Sequence, residues 1–281
     1  MRQRVISEIR PSQATQDGAG VAIQRVSLMG HPTTDPVLLI DELKSPYRKD
    51  FEAGFPPHPH RGMQTLTYMK AGGIIHEDSL GNRGEIRGGG AQWMSAGRGV
   101  IHSEMPTQDT QGLHGFQLWF NLPAAEKMKP PRYRDIPAGQ LATLEDSAFM
   151  ATAVAGDWRL NQQTVTGPLA ELTPQGALLD LQIKPDASID ITVSADDSLL
   201  AYLYDGSLVQ AGKLIAAGQL LVATDGDCWQ LQAGPMGAQL LVLSGRPIRE
   251  PVVGYGPFVM NTRAEIERAL QDYREGTFAK Y

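Results

Sequence analysis

The stretch FPPHPHRG, residues 55–62, places two histidines on either side of a proline. The residue before a proline favours the extended conformation, and residues two apart in an extended chain point to the same face. Pro59 also lacks the N–H that a central strand would need, so the segment is expected at a strand start or on an edge strand. The stretch therefore predicts two imidazoles, those of His58 and His60, side by side on an edge strand.

A second pair with the same spacing, His102 and Glu104, follows the glycine turn SAGRGVI. Nitrogen and oxygen donors without a thiolate argue against a structural zinc site of the cysteine type. They favour iron, manganese, nickel, copper or a catalytic zinc. An octahedral ion with four protein ligands keeps two positions for water, O2 or substrate. We therefore predict a metal site of His58, His60, His102 and Glu104.

The remaining histidines lack such pairing. His31, His76 and His114 stand alone in the sequence, so each is expected to be a surface residue or a satisfied core residue. Of the three, His76 is the one that we expect near the pocket of the predicted metal site.

The region around the histidines is dense in glycine and predicts short strands. Apolar segments such as QTLTYM, GIIHEDS, AQWMSA and LHGFQLWFNLP are too short for helices and are bounded by turn residues. GNRGEIRGGG, residues 81–90, lacks the G-K-[ST] of a phosphate loop, and we interpret it as turns. The pattern is typical of an antiparallel barrel or sandwich.

The two halves of the chain share a pattern of strands and turns. YMKAG, residues 68–72, matches YLYDG, residues 202–206, and GAQWMSAG, residues 90–97, matches GQLLVATDG, residues 218–226. This predicts two copies of one β fold, with residues 1–137 and 138–281 as domains and residues 123–137 as the connection. In the second copy the four ligand positions would hold Thr192, Ser194, Leu231 and Ala233. We therefore predict that the C-terminal barrel binds no metal.

One helix is expected, at about residues 262–275. Thr262 and Glu265 have capping-box spacing, Ile266 and Ala269 share one face, and Gly276 is placed to end the helix. We expect its apolar stripe to pack on the barrel.

Composition excludes several function classes. The chain of 281 residues has a net charge of -6, so the basic surface of a nucleic-acid-binding protein is absent. Its single cysteine, Cys228, excludes an internal disulfide, fits a reducing compartment and is predicted to lie in the core.

There is no apolar run of about 18 residues and no apolar signal-peptide core at the N-terminus. The sequence contains no Gly-x-Ser-x-Gly elbow, so we do not expect a serine hydrolase. We expect a cytoplasmic protein with no membrane and no direct nucleic-acid partner.

The sequence resembles the pirin family of the cupin superfamily in three stretches: FPPHPHRG, QWMSAGRGVIHSEMP and GYGPFVMNTRAEIERALQDYREGTF. The resemblance spans nearly the whole chain. It implies an all-β bicupin, in which two antiparallel barrels pack face to face, with a short C-terminal helix. It also implies a divalent metal in the N-terminal barrel, Fe(II) foremost and Mn, Ni, Co, Cu or Zn as alternatives. Carried over by motif, its ligands are the same four residues.

The resemblance implies a favoured function and two alternatives. Bacterial members resemble quercetin 2,3-dioxygenases, in which O2 opens the central ring of a flavonol with release of carbon monoxide. Here Glu104 would bind the metal or accept the substrate proton, and the partners would be a planar aromatic substrate and O2. The first alternative is a metal-dependent binding or regulatory protein, either a transcriptional co-regulator or a modulator of a metabolic enzyme. The second is a cupin whose metal only stabilises the barrel.

One position departs from the family pattern. Pirin-like sequences usually carry Glu where this chain has Gln64, and cupins in general use that carboxylate as a ligand. A neutral amide is a poorer ligand and cannot act as a base. Because Glu104 already supplies a carboxylate, we expect metal binding to survive.

Overall fold

The computed structural model describes residues 2–280, and short strands dominate it. The strands of the first part of the chain are β1 (Gln3–Arg4), β2 (Ile6–Pro11), β3 (Gln13–Asp17), β4 (Val21–Ser27), β5 (Val37–Ser45), β6 (Phe55–His60), β7 (Met63–Ala71), β8 (Gly73–Asp78), β9 (Arg83–Arg87), β10 (Ala91–Ser95), β11 (Val100–Pro106) and β12 (Leu113–Asn121). A 3-10 turn, Arg48–Asp50, precedes β6.

The second part continues the same pattern. After the short helix α1 (Ala124–Lys127), the strands are β13 (Arg132–Ile136), β14 (Ala142–Glu145), β15 (Phe149–Ala155), β16 (Asp157–Leu160), β17 (Gln163–Thr166), β18 (Ala177–Ile183), β19 (Ser188–Thr192), β20 (Ser198–Gln210), β21 (Lys213–Ala216), β22 (Gln219–Ala223), β23 (Cys228–Gly245), β24 (Val253–Tyr255) and β25 (Phe258–Met260). The helix α2 (Arg263–Arg274) follows. Neither helix in residues 2–280 is long and apolar enough to cross a membrane.

The chain folds into two compact units, and neither is continuous in sequence. The N-terminal unit comprises residues 13–31, 37–140 and 248–280, and the C-terminal unit comprises residues 2–12, 32–36 and 141–247. β1 and β2 pair with β23 and β22 of the C-terminal unit, while α2 packs in the N-terminal unit. The N-terminal end of the chain thus belongs to the C-terminal unit, and the C-terminal end belongs to the N-terminal unit. The predicted division into 1–137 and 138–281 does not include this exchange of the chain ends.

Two large antiparallel sheets and the small sheet of β24 and β25 form the N-terminal unit. The seven-stranded sheet has the order β13-β10-β7-β12-β5-β4-β3, and the four-stranded sheet has the order β6-β11-β8-β9. β6 is an edge strand, as Pro59 predicted. Two interpretations of the sequence are wrong here: residues 83–87 form β9 rather than turns, and β13, inside the predicted connection, is a strand of the barrel because its backbone pairs with β10.

The C-terminal unit is built on one large sheet whose strand neighbours repeat those of the N-terminal unit. Tyr68 in β7 lies between β10 and β12, and Tyr202 in β20 lies between β22 and β23. Its core is almost wholly apolar and includes Trp158, Trp229 and Leu231. Cys228 is buried beside Trp229, so its predicted core position is confirmed.

The positions aligned with the metal ligands do not face one another in the C-terminal unit. In the N-terminal unit His58 lies directly opposite His102. Thr192 instead lies opposite Cys228, and Leu231 lies opposite Ile189. The register of β19 with β23 is thus shifted by three residues from the one that the alignment implies. The absence of metal from this unit stays a prediction.

The C-terminal helix forms as predicted. The Thr262 hydroxyl accepts the Glu265 N–H, and the Glu265 carboxylate accepts the Thr262 N–H, so two of the unpaired donors at the helix start are satisfied. Ile266 and Ala269 are buried with Phe258, in a cluster that also holds Met260 and Phe278. The helix therefore holds the end of the chain on the N-terminal unit.

A turn at Gly62 joins β6 to β7 next to the histidines. Gly62 has a φ of 81°, and a Cβ there would lie 2.1 Å from the Val259 carbonyl oxygen, so only glycine fits. The buried ammonium of Lys127 donates to the Gly62 and Val259 carbonyls and to Asn121 Oδ1, at 2.7, 3.0 and 2.6 Å. These bonds tie the turn after the histidines to the C-terminal segment.

Candidate metal centre

Three histidines from two neighbouring strands converge in the N-terminal unit. The His58 and His102 ring centroids are 4.4 Å apart, and His60 lies 4.9 Å from each. One ring nitrogen from each residue falls within 4.8 Å of the others. The alternation of side chains in β6 and β11 thus brings together the three imidazoles that the spacing predicted.

Glu104 lies close to His102, which is a member of this group. It belongs to a second, overlapping group with His76 and His102, whose ligand atoms also lie within 4.8 Å of one another. Thr67 Oγ1 lies 3.2 Å from Glu104 Oε1 and 2.5 Å from Gln117 Oε1. The four predicted ligands therefore span two groups that share His102, and their joint coordination of one ion stays a prediction.

Two of the three rings are oriented by backbone carbonyls. His58 Nδ1 lies 2.8 Å from the Pro56 carbonyl oxygen, and His60 Nδ1 lies 3.3 Å from that of Pro257. A carbonyl only accepts hydrogen bonds, so each Nδ1 carries the proton and each Nε2 keeps a lone pair. Both rings are thereby prepared to bind a cation through Nε2.

Burial keeps the deeper histidines neutral. Desolvation, with the neighbouring His58, lowers the pKa of His60 to about 3, and desolvation lowers the pKa of His102 well below its usual value. His102 Nε2 is buried without a hydrogen-bond partner among residues 2–280. A neutral ring with an unpaired buried nitrogen fits a metal ligand, so the residues present are compatible with a bound divalent ion.

Acidification is expected to destabilise the metal-free protein. Between pH 6.5 and about 3 the unfolded chain binds a proton at His60 that the folded chain does not. The free energy of unfolding therefore falls as pH falls, by about 1.4 kcal/mol per unit for this group. Urea unfolding at pH 7, 6 and 5 with a chelator measures the slope. His60→Gln should reduce it, and equal slopes in both proteins would contradict the assignment.

His76, which looks isolated in the sequence, lies directly beside the histidine group. It is fully buried, and its Nδ1 lies 3.3 Å from His102 Nδ1. In the register of β8 with β11, His76 faces Glu104 and Asp78 faces His102. The contact between His76 and His102 joins residues 26 positions apart, so no local spacing indicated it. The alternation H-x-D of β8 beside the H-x-E of β11 is the signal that could have.

A cavity of about 630 Å³ opens beside the histidines. Its walls are mainly apolar, and its polar lining includes His58, His60, Thr67 and Glu104. The apolar lining residues include Leu39, Leu43, Phe55, Met69, Ile74, Phe116 and Trp119. The volume and the apolar walls suit a planar, drug-sized ligand.

A partly buried ion cluster lies on the lining of the same cavity. Arg25 Nε and Nη2 donate to the two oxygens of Asp41 at 2.7 and 2.5 Å, and Arg25 also pairs with Asp17. One guanidinium and two carboxylates leave a net charge of -1. At its end of the cavity this cluster favours neutral ligands with hydrogen-bond donors over carboxylates.

Gln64 takes no part in the site. It lies on β7, where side chains alternate, and its neighbour three positions on, Thr67, lines the cavity. Gln64 therefore points to the other face, where it is buried. The substitution of Glu by Gln at this position does not remove a side chain from the cavity.

Comparisons with known proteins agree on one family. The family model "Pirin" matches residues 21–120, and the model "Pirin C-terminal cupin domain" matches residues 178–279. A Vibrio cholerae protein named "Putative quercetin 2,3-dioxygenase" is 43% identical over 100% of this chain and 99% of its own. A pirin-like protein of Caulobacter vibrioides is 35% identical over 99% of this chain and 100% of its own. The crystal structure of quercetin 2,3-dioxygenase from Acinetobacter baumannii superposes with a TM-score of 0.88, at 29% identity over 99% of each chain.

Proposed function

Because the chain belongs to the pirin family, with the all-β bicupin fold that its sequence predicted, we propose that it is a metal-dependent dioxygenase that opens the central ring of flavonols such as quercetin. The observation that carries the proposal is the convergence of three imidazoles at an apolar cavity large enough for such a molecule. The similar proteins named as quercetin dioxygenases support it.

We propose His58, His60, His102 and Glu104 as the residues that would hold the ion, and Fe(II) as the ion. When bound, a divalent ion supplies Lewis-acid chemistry that lowers the pKa of an enolic hydroxyl. The donor set of imidazole nitrogens and a carboxylate suits iron, and equally manganese, nickel, cobalt, copper or zinc. A metal cofactor of this class is the part of the proposal that the site itself supports most directly.

Glu104 is proposed either to hold the ion or to accept the proton of the substrate hydroxyl. Its carboxylate lines the cavity while its side chain is otherwise buried, and Thr67 Oγ1 lies within hydrogen-bond distance of Oε1. A base must stand within hydrogen-bond reach of the proton that it removes, and the place of Glu104 in the cavity lining supports this role for a hydroxyl bound against it. The single hydroxyl proton of Thr67 can be donated to Glu104 Oε1 or to Gln117 Oε1, and donation to Glu104 would orient its carboxylate.

The apolar walls would hold the aromatic substrate and exclude water. Trp119 packs edge-on against His60, with 5.2 Å between ring centroids, and Phe116 lies on the same wall. Aromatic walls bind planar rings by offset or edge contacts. One O2 enters and one carbon monoxide leaves for each ring opened, so the reaction needs no external reductant.

The decisive experiment loads the metal-free protein with Fe(II), Mn, Ni, Co or Cu in turn and adds quercetin in air. Loss of the flavonol absorbance together with carbon monoxide release is the expected result. Tight metal binding with no turnover for any ion would refute the enzyme proposal. It would favour the alternative of a metal-dependent regulatory or binding protein, or a metal that only stabilises the barrel.

The charge of the cavity lining predicts substrate selectivity. Asp17→Asn removes one negative charge from a half-exposed position and should raise affinity for a carboxylated flavonol about fivefold relative to quercetin, from roughly 1 kcal/mol of repulsion. Quenching of tryptophan fluorescence by each ligand measures this ratio. Asp157→Asn, which lies in the C-terminal unit, is the control. An unchanged ratio in Asp17→Asn would contradict this role.

The cytoplasmic location and the absence of nucleic-acid and membrane partners rest on the sequence alone and stay predictions.

A further inference from the structure

His102 differs from the other two histidines in what holds its second nitrogen. His58 and His60 are each oriented by a carbonyl oxygen, which only accepts. His102 Nδ1 instead faces another imidazole nitrogen, His76 Nδ1, at 3.3 Å. A neutral imidazole donates at one nitrogen and accepts at the other. The contact alone therefore leaves two proton arrangements open.

Only one arrangement leaves His102 able to bind a cation. If the shared proton is on His102 Nδ1, Nε2 has a lone pair directed at the site. If the proton is on His76 Nδ1, His102 carries its proton on Nε2 and cannot act as a ligand. Both Nε2 atoms are buried without a hydrogen-bond partner among the described residues, so the choice depends on the charges around His76.

Asp78 lies on the Nε2 side of His76, which favours the arrangement with the shared proton on His102 Nδ1. Its Oδ2 is 3.8 Å from His76 Nε2, and both side chains are about 1% exposed. A carboxylate attracts the proton of the facing ring to Nε2, which leaves His76 Nδ1 as an acceptor. His76 Nδ1 then accepts the proton of His102 Nδ1.

The Asp78 carboxylate is itself held in place. Its Oδ1 accepts the backbone N–H groups of Leu80 and Asn82 at 2.9 and 3.0 Å, and its Oδ2 accepts Asn82 Nδ2 at 2.7 Å. These donors belong to the turn between β8 and β9. The position of the charge is therefore set by the loop and does not depend on a bound ion.

We propose that Asp78 and His76 are positioning residues that hold His102 in the tautomer able to bind the metal. This inference rests on the metal site of the proposed function. The series Asp78, His76 and His102 directs the lone pair of His102 Nε2 toward His58 and His60. A competing possibility is that His76, His102 and Glu104 hold an ion themselves, since they form the second group.

The test compares three variants by metal binding in the intact chain. His76→Leu removes the acceptor, His76→Asn keeps an amide oxygen at about the position of Nδ1, and Asp78→Asn removes the charge while its oxygen can still accept the two backbone N–H groups. Co(II) and Zn(II) affinities are measured by chelator competition, with the Co(II) absorption spectrum as a record of ligand geometry. Thermal unfolding of each metal-free variant reports whether it folds.

We expect His76→Leu to weaken metal binding 10- to 100-fold, His76→Asn to restore it to within about threefold of wild type, and Asp78→Asn to weaken it several-fold. Wild-type affinity in a folded His76→Leu would overturn the inference. Two ions per chain, or one ion that survives His58→Ala but not His76→Leu, would also overturn it in favour of the second group. Failure of the wild-type protein to bind either ion would instead refute the proposed metal site.

Discussion

Replacing His58 and His60 together by alanine is expected to abolish metal binding and flavonol turnover. Both residues lie on one edge strand and contribute two of the three converging imidazoles. The free energy of binding a metal ion, about 10–16 kcal/mol for structural zinc in zinc-finger peptides, is shared among the ligands that hold it. Losing two ligands should therefore weaken binding by on the order of 1,000-fold or more. Isothermal titration with Co(II), together with the flavonol absorbance assay, measures both effects.

The matched control replaces Thr192 and Ser194, which the internal repeat aligns with the two histidines. Thr192→Ala with Ser194→Ala should leave metal affinity and turnover unchanged. Because β6 is an edge strand, the histidine double variant should still fold, and its far-ultraviolet circular dichroism should match wild type. Turnover at the wild-type rate in the histidine variant would show that the site lies elsewhere.

The second large effect is expected from Arg61→Ala. Arg61 is almost fully buried directly after His60, and its Nη1 donates to Asp272 Oδ2 at 2.8 Å. Its Nε donates to the Arg98 carbonyl oxygen at 2.5 Å, and its guanidinium lies 4.3 Å from the Phe278 ring centroid. Removing the side chain takes this donor away from the Arg98 carbonyl oxygen and from Asp272 Oδ2, while Asp272 Oδ1 keeps its pair with Arg268. We expect the free energy of unfolding to fall by about 2–3 kcal/mol, from the lost charge-assisted hydrogen bonds and the lost packing of the arginine stem.

Urea unfolding of Arg61→Ala and wild type measures the loss. Arg263→Ala is the control, because Arg263 is 90% exposed and pairs with Glu267 on the helix surface, where ion pairs contribute at most about 1 kcal/mol. A double-mutant cycle with Asp272→Asn isolates the ion pair, and we expect a coupling of about 1–3 kcal/mol. A loss below 1 kcal/mol in Arg61→Ala would contradict the role of this residue in joining α2 to the histidine strand.

Much of the candidate centre followed from local rules. Pro59 selects an extended chain, and a period of two then places His58 and His60 on one face, as it does His102 and Glu104. The capping box at Thr262 is equally local, and α2 begins there. These features involve residues two or three apart, so they depend on backbone geometry that the residues themselves determine.

Features that depend on strand pairing were missed. The segment between residues 123 and 137 looks like a linker by its prolines, but Arg132–Ile136 pairs with β10 and belongs to the barrel. His76 looks isolated, but the register of β8 with β11 places it against Glu104. Backbone hydrogen bonds between strands are the same for any sequence, so composition does not reveal which strands meet.

The sequence by itself determined the residue types and the faces they share: three imidazoles and a carboxylate on two strands, an apolar β framework, and a capped terminal helix. The tertiary structure alone decided that β6 lies beside β11, that His76 and Asp78 stand behind His102, and that the chain ends exchange between the units. The physical reason is the distance along the chain over which each interaction acts. Side-chain direction is set by neighbours two residues away, whereas register is set by the packing of whole sheets and by turns such as that at Gly62.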